Sequence, residues 1–119
     1  MKFLLTTTND PNLPPTPPSP EMFAAMGAFI QEQTQRGVLI ATGGLLPVSM
    51  GGARVRSVNG EMTVVDGPYS EAKEAVVGWA IMDVASREEA IEWSKRFWRI
   101  VGDGSGTIQR VYDPGEFPE

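Results

Sequence analysis

Hydrophobic and polar positions follow two different rhythms along this 119-residue chain, and the switches between them mark out its elements. Residues 2–7 mix Phe, Leu and Thr and run into Asn9-Asp10-Pro11, a strong turn signal, so they predict a first strand. Further on, Met22, Met26, Phe29, Ile30 and Gln33 recur at helical spacing, with Phe23 widening the stripe. Ser19 is placed to cap this helix and Pro20 to fill its first position, where a missing N–H costs nothing; Gly37 supplies the stop. The methionines and aromatics of the stripe are expected in the core. A further run over residues 38–46 is interrupted by Gly43-Gly44, which predicts a bulge or a close approach of backbone or ligand.

Residues 54–58 and 61–65 flank Asn59-Gly60, the pair favoured by a two-residue type I′ turn, and predict a tight β-hairpin. Residues 75–84 form a longer strand, with Val76, Gly78, Ala80 and Met82 on one face and Val77, Trp79 and Ile81 on the other, so both faces are expected to be buried. Ser86-Arg87-Glu88-Glu89 is a capping box opening a second helix, whose apolar side is Ala90, Ile91, Trp93, Phe97, Trp98 and Val101, and Gly102 stops it. Residues 107–112 give a last strand. The resulting order is that of an α+β, ferredoxin-like (split βαβ) domain with an inserted β-hairpin, occupying residues 1–119 as one unit. Two helices cover one face of such a sheet. The other face, apolar along residues 76–82, calls for a second copy of the chain, so a homodimer is expected.

Composition narrows the chemistry. The chain has no cysteine and no histidine, which rules out disulfides, thiolate metal sites and cysteine nucleophiles, and leaves acid–base work to Asp, Glu, Lys or Tyr. A net charge of −5 argues against a nucleic-acid partner, because such binding relies on basic side chains neutralising phosphates. No apolar run approaches the about 20 residues that span a bilayer, and the start of the chain is too short an apolar stretch for a signal peptide, so a cytoplasmic location without membrane contact is expected. Six of the ten residues at 11–20 are proline, which favours extended polyproline II; this stretch reads as a stiff connector, a recognition ligand or a lid.

Several candidate motifs fall away. The Gly102-Asp103-Gly104-Ser105-Gly106 run follows a helix and precedes a strand, the reverse of a phosphate loop, and reads as a helix-ending turn. Ser70 has no histidine to activate it. The carboxylates Asp10, Asp66, Glu71, Glu74 and Asp83 lack the spacing of a metal motif, so neither a metal nor another cofactor is expected.

The segment at residues 66–74 is the main candidate. Structurally it is a turn, Asp66-Gly67-Pro68, followed by a solvated charged connection. Functionally, the same turn gathers Asp66, Tyr69, Glu71, Lys73 and Glu74 at one edge of the sheet, where a carboxylate beside an ammonium could bind a polar substrate or move a proton. Both readings fit the spacing.

This segment is similar to the DGPFAETKE signature of the DGPF-type branch of YCII-related proteins: Asp66, Gly67, Pro68, Glu71, Lys73 and Glu74 are identical, and Tyr69, Ser70 and Ala72 are conservative replacements. Met1-Lys2-Phe3-Leu4-Leu5, Gly37-Val38-Leu39, Val76-Val77-Gly78-Trp79 and the second helix also sit where that family has counterparts. The resemblance implies a dimeric α-β barrel with a cleft near the signature. Relatives have been proposed to use a His-Asp pair, and many DGPF-type members carry a histidine near the end of the second helix, where this chain has Phe97 and Trp98; no histidine mechanism carries over. For an enzyme acting on a small polar metabolite by cofactor-independent proton transfer or lyase-type chemistry, Asp66 or Glu71 is the candidate base and Lys73 its electrostatic partner. Tyr69, Glu74, Arg54 and Trp79 are then candidate substrate contacts. The alternative is a non-catalytic regulatory or interaction module, which the resemblance supports because DGPF-type proteins are often associated with extracytoplasmic-function sigma factors.

Overall fold

A computed structural model describes residues 1–8, 18–66 and 76–116, in the order β1 (Lys2–Thr8), α1 (Pro20–Gln35), β2 (Leu39–Gly44), β3 (Ala53–Val58), β4 (Glu61–Asp66), β5 (Val76–Asp83), α2 (Arg87–Val101) and β6 (Ser105–Val111). Four strands make an antiparallel sheet in the order β2-β5-β1-β6, while β3 and β4 pair with each other in a second sheet. Each helix joins two strands of the larger sheet that are separated by a third, β5 between β1 and β2, and β1 between β5 and β6. This mixed α+β arrangement is consistent with a ferredoxin-like fold. Among the described residues no helix is long and apolar enough to cross a membrane.

The register explains the core. Phe3 pairs with Met82, which also pairs with Leu39, and Leu5 pairs with both Ala80 and Ile108. Paired residues share a face, so these side chains form an apolar surface on which the helices lie. Phe29 of α1 and Ala90 and Trp93 of α2 complete the buried cluster, with the Phe29 and Trp93 rings 5.0 Å apart. Met82 and Gln33 are fully enclosed.

Both helices begin and end as their capping residues dictate. The Met22 N–H donates to Ser19 Oγ at 3.1 Å with Pro20 at the first helical position, and at the other end Gly37 and Val38 donate to the carbonyls of Thr34 and Gln33 in a Schellman arrangement. At α2 the Glu89 N–H donates to Ser86 Oγ at 3.1 Å, but the Glu89 carboxylate reaches back one residue further than a standard capping box, to the Ala85 N–H at 2.8 Å. Replacing Ser86 with Ala is expected to cost about 1 kcal/mol, read as a lowered midpoint in thermal unfolding by circular dichroism.

The turn between β3 and β4 has positive φ at both Asn59 (52°) and Gly60 (80°), as a type I′ turn requires. The glycines at 104 and 106 serve a different end. A Cβ at Gly104 would sit 2.5 Å from the Trp98 indole, and one at Gly106 would meet the Thr6 carbonyl, so together they let the indole lie across the start of β6. That strand accordingly begins at Ser105 rather than at Thr107, where the apolar pattern starts.

Two packing expectations are corrected. Phe23 does not widen the buried stripe of α1; it is 64% exposed in the first turn of the helix, while Ile30, two turns further on and nearly on the same face, packs against the core. Burial on both faces of β5 holds only for its C-terminal half: Ala80 and Met82 are buried and Trp79 and Ile81 half-buried, whereas Val76 and Val77 are exposed.

Candidate functional site

Where β1, β2 and β5 run out toward Thr7, Gly43 and Gly78, the helices stand off the sheet and leave a cavity of about 90 Å³. Its floor is Leu5, Leu39 and Ala80, its roof Met26, Phe29 and Ile30 of α1 with Trp93 and Phe97 of α2, and its rim Thr7, Thr42, Gly43, Gly78 and Trp79. Small residues make the space. Gly78 faces Thr7 across the strand pair, and a Cβ there would approach the Thr7 hydroxyl to 2.8 Å. Gly43 pairs with Trp79, and a Cβ on it would come within 2.9 Å of the indole Nε1, so the ring lies flat against bare backbone on the opposite face. The Thr42 hydroxyl donates to the Trp79 carbonyl at 2.9 Å, fixing the rim. Among the described residues none of the lining side chains ionises, and the polar side-chain groups at the cavity are the threonine hydroxyls, since the Trp79 ring lies on the opposite face and the Trp93 N–H is taken by Gln33. Such a cavity suits an apolar body anchored by a hydrogen bond.

Beside it, Trp93 Nε1 donates to Gln33 Oε1 at 3.2 Å, and the buried Gln33 Nε2 has no partner among the described residues. Gln33 also borders a more open recess of about 130 Å³ between the helices, flanked by Arg36, Arg96, Glu89 and Glu92. Arg96 lies 5.1 Å over the Phe29 ring and 3.5 Å from the Glu32 carboxylate. At the far end of the chain the Glu116 carboxyl is held below its ordinary range by the Asp113 N–H and then by Arg110, whose guanidinium grips both oxygens at 2.7 and 2.9 Å.

Of the residues singled out in the sequence, Trp79 lies at the rim of the cavity. Asp66 ends β4 and Arg54 lies in β3, both exposed; Asp66 pairs with Ala53 and Arg54 with Val65, so the two point to opposite faces of the hairpin. Tyr69, Glu71, Lys73 and Glu74 lie outside the described residues, as does most of the proline-rich stretch. Thr7 and Thr42 were not among the candidates. The interruption at Gly43-Gly44 pointed to a close approach there, but nothing in the sequence shows that the same strand ends meet Thr7.

The family model described as YCII-related domain matches residues 1–113. An uncharacterized protein of Rhizobium meliloti (strain 1021) is 30% identical over 96 residues, which cover 78% of this chain and 77% of that protein.

Proposed function

The chain belongs to the YCII-related domain family, and from that premise we propose that it is a small-molecule-binding protein acting as a homodimer. The observation that carries the binding reading is the apolar cavity rimmed by Thr7, Thr42, Gly43, Gly78 and Trp79, whose lining among the described residues holds no ionisable group. Its ligand is a compact molecule with an apolar body and one hydrogen-bonding group directed at Thr7, which departs from the polar metabolite that the charged segment alone suggests. Of the candidate catalytic residues Asp66, Glu71 and Lys73, Asp66 stands at the end of the separate hairpin, and the other two lie outside the described residues.

The dimer is supported by the sheet face turned away from the helices. Gln109, Leu4, Ile81 and Ala41 form one row there and Thr107, Thr6, Trp79 and Gly43 the next, with Lys2 and Asp83 paired at one end. The Thr6 and Thr107 hydroxyls bond each other at 2.9 Å, leaving a neutral surface suited to a second copy packed face to face as a dimeric α-β barrel.

A thermal-shift series with phenol, indole and benzyl alcohol tests the binding reading. At least one is expected to raise the melting temperature, and Thr7→Val to weaken its binding about 10-fold by removing one hydrogen bond, with Asp66→Asn binding as the parent. No shift with any compound, or binding abolished by Asp66→Asn and untouched by Thr7→Val, would move the site to the charged segment.

A further inference from the structure

The β3–β4 hairpin is built as a half-buried sheet, yet it is exposed along its whole length. All six residues of each strand are open to solvent, and the pair belongs to neither edge of the larger sheet. The register separates its side chains cleanly. Ala53, Val55, Ser57, Met62 and Val64 share one face, with Asp66 at its base, and Arg54, Arg56, Glu61 and Thr63 share the other with Val58 and Val65. On the first face Val55 is 65%, Met62 73% and Val64 65% exposed. An isolated two-stranded hairpin is marginal in water, and an apolar face opposite a charged one is the pattern of strands that cover something.

We infer that this hairpin is an arm that lays its Val55–Met62–Val64 face on a second copy of the chain. The proposal rests on the homodimer proposed above and deepens it. Three observations point to a second copy as the occupant. The arm is the next element after β2, an edge strand of the larger sheet, and is tethered to that edge by the eight residues 45–52. The radius of gyration is 16.7 Å, against about 13–14 Å for a compact chain of this length, so the protomer reaches beyond its own core. Finally, the arm's apolar face adds on the order of a few hundred Å² to the neutral sheet face, and the two together suit the roughly 800 Å² per partner of a stable interface. A two-fold axis then covers both arms at once, and Arg54, Arg56 and Glu61 stay in water.

Sedimentation across a dilution series, with folding checked by circular dichroism, reads the outcome. Val64→Glu is expected to raise the dimer Kd on the order of 100-fold, while Thr63→Glu on the opposite face leaves it unchanged. Because the chain has no cysteine, Ser57→Cys gives a unique thiol. Its alkylation by iodoacetamide is expected to be slow where dimer prevails and to quicken on dilution, with Thr63→Cys reacting fast throughout. A dimer indifferent to Val64→Glu and dissociated by Ile81→Glu overturns the arm and keeps the sheet-face dimer. A thiol at position 57 that reacts fast at every concentration overturns the arm even if Val64→Glu does not fold. A parent chain that is monomeric throughout overturns arm and dimer together and leaves the apolar face to a different protein or a lipid surface.

Discussion

Alanine at Trp93 is expected to remove about 3–5 kcal/mol of stability, enough to leave a domain of this size largely unfolded at ambient temperature. The indole is a main contact of α2 with α1 within the core: it is 6% exposed, packs tilted against the Phe29 ring and donates to the enclosed Gln33. Removing it opens a void beside an existing cavity and strands the Gln33 amide, whose Nε2 already lacks a partner among the described residues. Phenylalanine at the same position separates the two contributions. It keeps most of the buried area but supplies no donor to Gln33 Oε1, so a loss of about 1–3 kcal/mol is expected. Urea unfolding followed by circular dichroism measures both. Equal losses for Trp93→Ala and Trp93→Phe would assign the whole effect to the hydrogen bond and contradict this picture of the core.

Valine at Gly78 is expected to close the cavity and lower affinity for any ligand found by thermal shift about 100-fold, with the fold retained. The side chain would project from β5 into the space beneath α1, where the glycine now faces Thr7. The atom it first meets is the Thr7 hydroxyl, which can rotate away, so the strand tolerates the change while the ligand does not. An overpacking penalty of about 1–3 kcal/mol falls on the bound state, equivalent to about 5- to 150-fold in Kd. Calorimetric titration of parent and variant reads this directly. Undiminished affinity in a folded Gly78→Val protein would place the ligand elsewhere.

The contrast between these two positions shows what the sequence made legible. Trp93 declared itself by helical spacing, as did the caps at Ser19 and Ser86 and the Asn59-Gly60 turn, because each depends on neighbours a few residues away. Split βαβ topology followed from the order of such elements. The cavity did not, since Thr7, Gly43 and Gly78 come from three strands and meet only through the register of the sheet. Phe23 was misread for a related reason. Its position widens an apolar stripe on paper, but the width of the stripe that is buried depends on how far the sheet extends beneath the helix. The charged signature drew notice through its density of functional side chains, whereas the cavity beside Trp79 is lined by residues that also make ordinary cores. The hairpin was read from its turn, and only its exposure reveals that its apolar face is open to solvent.

The central claim, a ligand seated between the helices and the ends of β1, β2 and β5, is tested most directly by amide chemical-shift mapping of the labelled protein titrated with the best thermal-shift compound. The account predicts that the amides of Thr7, Gly43, Gly78 and Trp79 move together and saturably, with Asp66 unaffected. Shifts centred on Asp66 and Arg54, with Thr7 and Gly78 still, would contradict it.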